Sequence, residues 1–162
     1  MAKRQVFYSF HYDKDVFRVQ QIRNIGSIEG NHLASANEWE EVKRKGETAI
    51  KKWIDDNMAY RSCVIVLVGE ETSKRKWVDY EIRKAWNDKK GLFGIYIHNI
   101  NCMRNGTCRQ GKNPFENIAM SDGSRMSDYV KVYNPDPLYV YTDISNKMEG
   151  WIELAIKEAE NR

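Results

Sequence analysis

The most constraining feature of the sequence is an unbroken apolar run, Cys63-Val-Ile-Val-Leu-Val68. Six residues are the length of a strand, and a strand that is apolar on both sides has to be covered on both faces. Parallel sheets with helices on both faces consist of such strands. The run therefore predicts an α/β domain with a central parallel sheet, and Gly69 marks the end of this strand.

Strand and helix patterns alternate along the rest of the chain, which favours βαβ units. Strands are predicted at Gln5–Phe10, Leu92–Ile97 and Leu138–Tyr141. Helices are predicted from Asp13 to about Asn24, from Ala36 as one long helix to about Ile54, from Arg75 to Lys89, and from Ile144 to Glu160. Loops are predicted around Gly26–Asn31 and over Asn99–Pro137, where we expect short elements at most and the least order in the molecule.

Bulk composition indicates one soluble globular domain that spans residues 1–162. Hydrophobic residues make up 41% and charged residues 30%, and the net charge of +3 is too small to indicate a nucleic-acid partner. The sequence has no run of about 18 apolar residues and no secretory signal pattern, so we expect a cytoplasmic protein with no membrane partner. Cys63, Cys102 and Cys108 are expected to be free thiols, with no disulfide and no metal site.

One carboxylate lies on the apolar side of a predicted helix. The stripe of that helix is Val78, Ile82 and Ala85, and Glu81 falls on it, three residues after the first and four before the last. Ligands of open α/β sheets bind beyond the carboxyl ends of the strands, so the helix that follows the Cys63–Val68 strand lies near that crevice. Glu81 is therefore a candidate functional residue. The alternative is a structural glutamate at the edge of the stripe, paired with Arg83, Lys84 or a neighbouring chain.

Three motifs together make the sequence recognisable. They are Phe7-Tyr-Ser-Phe-His11 at the end of the first strand, the Val64–Gly69 strand, and Trp77-Val-Asp-Tyr-Glu81 in the helix. Over roughly residues 3 to 118 the chain resembles TIR domains, and more closely the TIR-like proteins of the bacterial Thoeris anti-phage defence system. This resemblance implies a flavodoxin-like three-layer sandwich with a central parallel sheet.

The same resemblance implies an activity. In that family a glutamate of this helix breaks the nicotinamide–ribose bond of NAD, and the corresponding residue here is Glu81. NAD would be a substrate and no cofactor is expected. The product would be a cyclic ADP-ribose-type signal that a separate effector protein receives, and self-assembly on activation is expected. The spacing of Gly26 and Gly30 matches no dinucleotide or Walker loop, so a classical NAD dehydrogenase is not expected.

Five further residues are candidates for contacting the substrate: Ser9, Phe10, His11, Trp39 and Trp77. Phe10 would stack on a ring of the substrate, and His11 would donate to a phosphate or ribose oxygen. Trp39 would cap the substrate, and Trp77 would form an apolar wall beside Glu81. Each has a structural alternative, such as a core aromatic residue, a solvated histidine or a backbone-bonding serine. At the level of the whole chain, two other functions stay open. One is a non-catalytic TIR-type interaction module, and the other is a hydrolase of the nucleoside deoxyribosyltransferase kind.

Overall fold

The described part of the chain forms one parallel sheet with helices on both faces. A computed structural model describes residues 4–25, 28–30, 36–101 and 106–162. The strands are β1 (Arg4–Ser9), β2 (Ile28–Gly30), β3 (Cys63–Val68), β4 (Gly91–Tyr96) and β5 (Val132–Tyr133). The helices are α1 (Tyr12–Arg23), α2 (Ala36–Arg44), α3 (Glu47–Met58), α4 (Lys76–Asn87) and α5 (Val140–Glu160). Short 3-10 helices lie at Thr72–Lys74, Pro114–Asn117 and Met126–Asp128.

Within these residues the strand order is β2-β1-β3-β4-β5, and every neighbouring pair is parallel. This is the order of flavodoxin-like folds, and it confirms the predicted fold class. Residues of β1 pair with β3 from Val6↔Cys63 to Ser9↔Val66. The strand order reverses between β1 and β3, so this pair forms the switch point at which such sheets bind ligands.

The core has two layers because the side chains of each strand alternate between the faces of the sheet. In β3, Cys63, Ile65 and Leu67 face a layer built with α1 and α5, whereas Val64, Val66 and Val68 face a layer built with α3 and α4. Every residue of β3 is buried. The sequence prediction for this strand is thus confirmed at both ends.

The structure corrects three predictions of secondary structure. The single helix predicted from Ala36 is two helices, because Gly46 adopts φ 95° and separates α2 from α3. The predicted loop after α1 contains β2, a three-residue edge strand. The predicted strand at Leu138–Tyr141 is wrong. Val140 begins α5, while Leu138 and Tyr139 before it are 82% and 66% exposed.

The long segment between β4 and α5 contributes to the core. It contains the short elements expected of it, namely two 3-10 helices and β5. Phe115, Ile118, Met126 and Val130 are buried in the layer with α3 and α4. The prediction that residues 99–137 are the least ordered part of the molecule is not tested by this packing and stays a prediction.

Candidate active site

Glu81 lies on the buried side of α4, as its position in the sequence predicts. Val78, Ile82 and Ala85 are at most 2% exposed, and Glu81 among them is 7% exposed. The helix begins at Lys76, shortly after the end of β3, so its second turn lies close to the carboxyl ends of β1 and β3. A glutamate is therefore buried next to the switch point.

The partner of Glu81 is Ser9, the last residue of β1. The Ser9 hydroxyl donates a hydrogen bond of 2.7 Å to Oε1 of Glu81, although the two residues are 72 positions apart. Ser9 is fully buried. It shares its face of the strand with Phe7, which packs in the layer with α3 and α4, so the alternation of β1 directs the hydroxyl at α4. Two of the predicted site residues are thus in direct contact.

Burial raises the pKa of Glu81 to about 8, and the hydrogen bond from Ser9 opposes that rise. No charged group among the described residues adds to either effect. Arg83 pairs with Asp79 at 2.8 Å, and Lys84 lies 3.1 Å from Asp88. In the described residues Arg83 and Lys84 therefore do not neutralise Glu81, in contrast to the structural alternative.

Of the other predicted substrate residues, three lie at the same end of the sheet or on α4. Phe10 and His11 follow β1 directly and are half-buried. Phe10 packs on the layer with α1 and α5, and its ring lies 6.1 Å from that of Tyr12. Trp77 is half-buried one turn before Glu81, and its ring and that of Tyr80 pack edge to face with their centroids 5.7 Å apart. Trp39 belongs to α2, but its side chain lies outside the described residues. The roles predicted for these four residues stay predictions.

Sequence reasoning missed a buried ion pair beneath the same end of the sheet. Arg18 and Asp15, one turn apart on α1, are 2% and 1% exposed, and their charged groups lie 3.1 Å apart. Arg18 also donates to the backbone oxygens of Ile100 at 3.0 Å and Gly106 at 2.7 Å. It thereby anchors the segment after β4 to α1. The signal in the sequence was available, because Asp15 and Arg18 share the apolar stripe of Val19 and Ile22.

Two glycines close the space above this ion pair. A Cβ on Gly69 would lie 2.2 Å from Oδ2 of Asp15, and a Cβ on Gly111 would lie 2.0 Å from the carbonyl oxygen of Gly69. At Gly69 the backbone lies so close to the Asp15 carboxylate that a residue with a side chain does not fit. Helix α1, the end of β3 and the segment after β4 are therefore packed together on the α1 side of the switch point.

Cys63 and Cys108 carry free thiols, and burial raises the pKa of both. Cys102 lies outside the described residues. In the described ranges, no three His, Cys, Asp or Glu side chains are grouped so that they could hold a metal ion. Nor does any helix there have the length and apolar character needed to cross a membrane.

Comparison with known proteins agrees with the sequence motifs. Residues 7–101 match a protein family described as "Thoeris protein ThsB, TIR-like domain". A curated relative from Bacillus cereus (strain MSX-D12), "Putative cyclic ADP-D-ribose synthase ThsB1", is 34% identical over 137 residues, and the match covers 80% of this chain and 71% of the relative. The family match contains the end of β1 and all of β3 and α4, and therefore both Ser9 and Glu81. The resemblance predicted from the motifs is confirmed, and the chain belongs to the ThsB family of Thoeris TIR-like domains.

Proposed function

We propose that this chain cleaves the nicotinamide–ribose bond of NAD and converts the ADP-ribosyl group into a cyclic ADP-ribose-type signal in anti-phage defence. The observation that carries the proposal is the position of Glu81. A carboxyl group without a charged partner among the described residues is buried at the switch point, where flavodoxin-like sheets bind ligands. The name of the Bacillus cereus relative, a cyclic ADP-D-ribose synthase, supports the choice of product class.

The reaction needs a negative charge more than it needs a strong acid. When the nicotinamide–ribose bond breaks, positive charge develops on the ribose, as in the oxocarbenium-like transition states of glycosidases. Nicotinamide leaves as a neutral base, so no proton has to be delivered to the leaving group. A carboxylate fixed beside the ribose stabilises the developing cation, and an environment with little water strengthens that interaction. One glutamate can thus serve where ordinary glycosidases use two.

In this mechanism Glu81 is the catalytic residue, and Ser9 holds one of its oxygens in place through the 2.7 Å hydrogen bond. The second oxygen of the carboxylate is then available to the ribose. The acceptor determines the product. Attack by water gives ADP-ribose, whereas attack by a nitrogen of the adenine or a hydroxyl of the second ribose closes a ring. A separate effector protein would receive the cyclic product.

Purified full-length protein incubated with NAD tests the proposal. Release of nicotinamide together with a product that has the mass of ADP-ribose minus water supports a cyclase, and the mass of ADP-ribose indicates simple hydrolysis. A parallel incubation with nucleosides tests the deoxyribosyltransferase alternative. The assay includes high protein concentration and lysate of infected cells, because self-assembly or an activator is expected to turn the enzyme on. No cleavage under any of these conditions would favour the interaction module.

A further inference from the structure

The surroundings of Glu81 disfavour its charged form in the free protein. A buried carboxylate needs a cation or several hydrogen bonds to stay ionised. The described residues give Glu81 one partner, the Ser9 hydroxyl. The strand β3 beneath it presents only the fully buried side chains of Val64, Val66 and Val68. Tyr96 of β4 packs against the same layer, but its hydroxyl does not contribute to the pKa of Glu81.

The described cations around α4 have partners other than Glu81: Lys76 pairs with Glu47, Arg75 pairs with Glu71, and Lys51 lies over the ring of Tyr80. On α3, Ile50 and Ile54 face the layer, and Asp55 accepts a hydrogen bond from Tyr80 at 2.9 Å. On α4 itself, Lys84 lies between Asp55 and Asp88, at 3.8 Å and 3.1 Å. Arg83, on the exposed side of α4, binds Asp79. Among the described residues, no cationic side chain therefore pairs with Glu81.

The proposed substrate carries that cation. The nicotinamide ring of NAD has a formal positive charge, and the ring of NADH is neutral. We propose that Glu81 holds a proton in the free protein and releases it to solvent when a cationic nicotinamide ring binds, so that the site distinguishes NAD from NADH by charge. The step is a simple ionisation of the carboxyl group, in which one O–H bond breaks and the proton passes to the buffer. This inference rests on the proposed function.

The size of the effect follows from the electrostatics of the site. Because burial raises the pKa of Glu81 to about 8, most molecules carry the proton at pH 7. Binding of a cationic ligand to the carboxylate should then release most of one proton per site at that pH. The affinity for such a ligand should rise about tenfold per pH unit as the pH approaches 8, and then level off. The affinity for a neutral ring should not follow this curve.

Ser9 acts here as a positioning residue. Its hydrogen bond to Oε1 favours the ionised form of Glu81. In Ser9→Ala the carboxyl loses this donor, so its pKa should be higher and the affinity for the cationic ligand should level off at a higher pH. A purely structural role of Ser9 would lower stability without moving this curve.

Titration calorimetry of the full-length protein, in buffers of different ionisation enthalpy, counts the protons released on binding. The ligand is an NAD analogue in which a CH₂ group replaces the oxygen of the nicotinamide ribose ring. This analogue keeps the positive charge but cannot form the oxocarbenium ion, so turnover does not contribute protons. NADH is the matched neutral ligand. We expect release of most of one proton per site at pH 7 with the analogue, none with NADH, and none with either ligand in Glu81→Gln.

Three results would each overturn the inference. They are equal proton release with the analogue and with NADH, no proton release with the analogue, and proton release that persists in Glu81→Gln. Cleavage of NAD by a protein that binds the analogue without proton release would leave the proposed function standing and remove only this refinement. A protein that neither binds the analogue nor cleaves NAD would contradict both.

Discussion

Replacement of Glu81 by Gln should make the protein more stable and nearly inactive at the same time. The amide keeps the size of the side chain and its capacity to accept from Ser9, but it cannot ionise. If the carboxylate acts on the ribose cation, turnover of NAD should fall by about 10²–10³, the usual cost of removing one preorganised transition-state partner. A structural glutamate would give the opposite pair of results.

The gain in stability follows from the pKa of the buried carboxyl. Folding moves this pKa from 4.5 to about 8. A carboxyl whose pKa is higher in the folded state costs nothing below pH 4.5, and it destabilises the protein progressively as the pH rises from 4.5 to 8. At pH 7 the cost is about 3 kcal/mol, at about 1.4 kcal/mol for each pH unit above 4.5. For a chain of this size, that free energy corresponds to roughly 6–12 °C in Tm.

The assay is thermal unfolding of both proteins between pH 4 and pH 9, with NAD turnover measured on the same samples. The melting temperatures should agree near pH 4.5 and diverge up to pH 8, with Glu81→Gln the higher. Glu149→Gln is the matched control, because Glu149 is an exposed glutamate of α5 with no partner among the described residues. It should follow the wild-type curve. A Glu81→Gln protein that melts lower at pH 7 and still consumes NAD at the wild-type rate would refute this reasoning.

Five other substitutions, arranged in three tests, probe the packing around the site by chemical denaturation. Gly69→Ala should destabilise the protein by about 1–3 kcal/mol, because the added Cβ would lie 2.2 Å from the Asp15 carboxylate. Gly150→Ala, in open space on α5, should stabilise the protein by about 0.5–1 kcal/mol. Equal effects of the two substitutions would contradict the close approach of Gly69 to Asp15. Arg18→Met should cost about 3–5 kcal/mol because it leaves Asp15 buried and unpaired, and a neutral result would show that the pair is solvated. Phe115→Ala should cost about 3–5 kcal/mol and Leu138→Ala under about 0.5 kcal/mol, and comparable losses would place Phe115 outside the core.

The sequence predicts best the elements whose side chains are all buried. The strand β3 is found at both of its ends, because a six-residue apolar run fits few other structures. The break between α2 and α3 could not be found in the same way, since the apolar stripe continues through Gly46 and the positive φ there is a property of the backbone. The error at Leu138–Tyr141 has a related cause. Aromatic residues suggest a strand, but Val140, Ile144 and Met148 already follow the four-residue spacing of a buried helix face.

The candidate site is predictable in part. Glu81 can be identified from the sequence of α4 alone, because its carboxylate interrupts the apolar stripe of that helix. Its contact with Ser9 depends on the pairing of β1 with β3 and on the choice of face for α4, which no local pattern contains. The buried pair of Asp15 and Arg18 was missed because an aspartate near a helix start is usually an exposed cap residue.

The distance along the chain between Ser9 and Glu81 has a consequence for folding. Their contact closes a loop of more than 70 residues, so it carries a large entropic cost and belongs to the non-local pairings that slow the folding of parallel sheets. A nascent chain on the ribosome lacks the site until α4 has emerged and has docked on the paired β1 and β3 strands. The geometry proposed for NAD cleavage therefore exists only in molecules that have completed this pairing, and unfolded or partly synthesised chains have no assembled site with which to consume the dinucleotide.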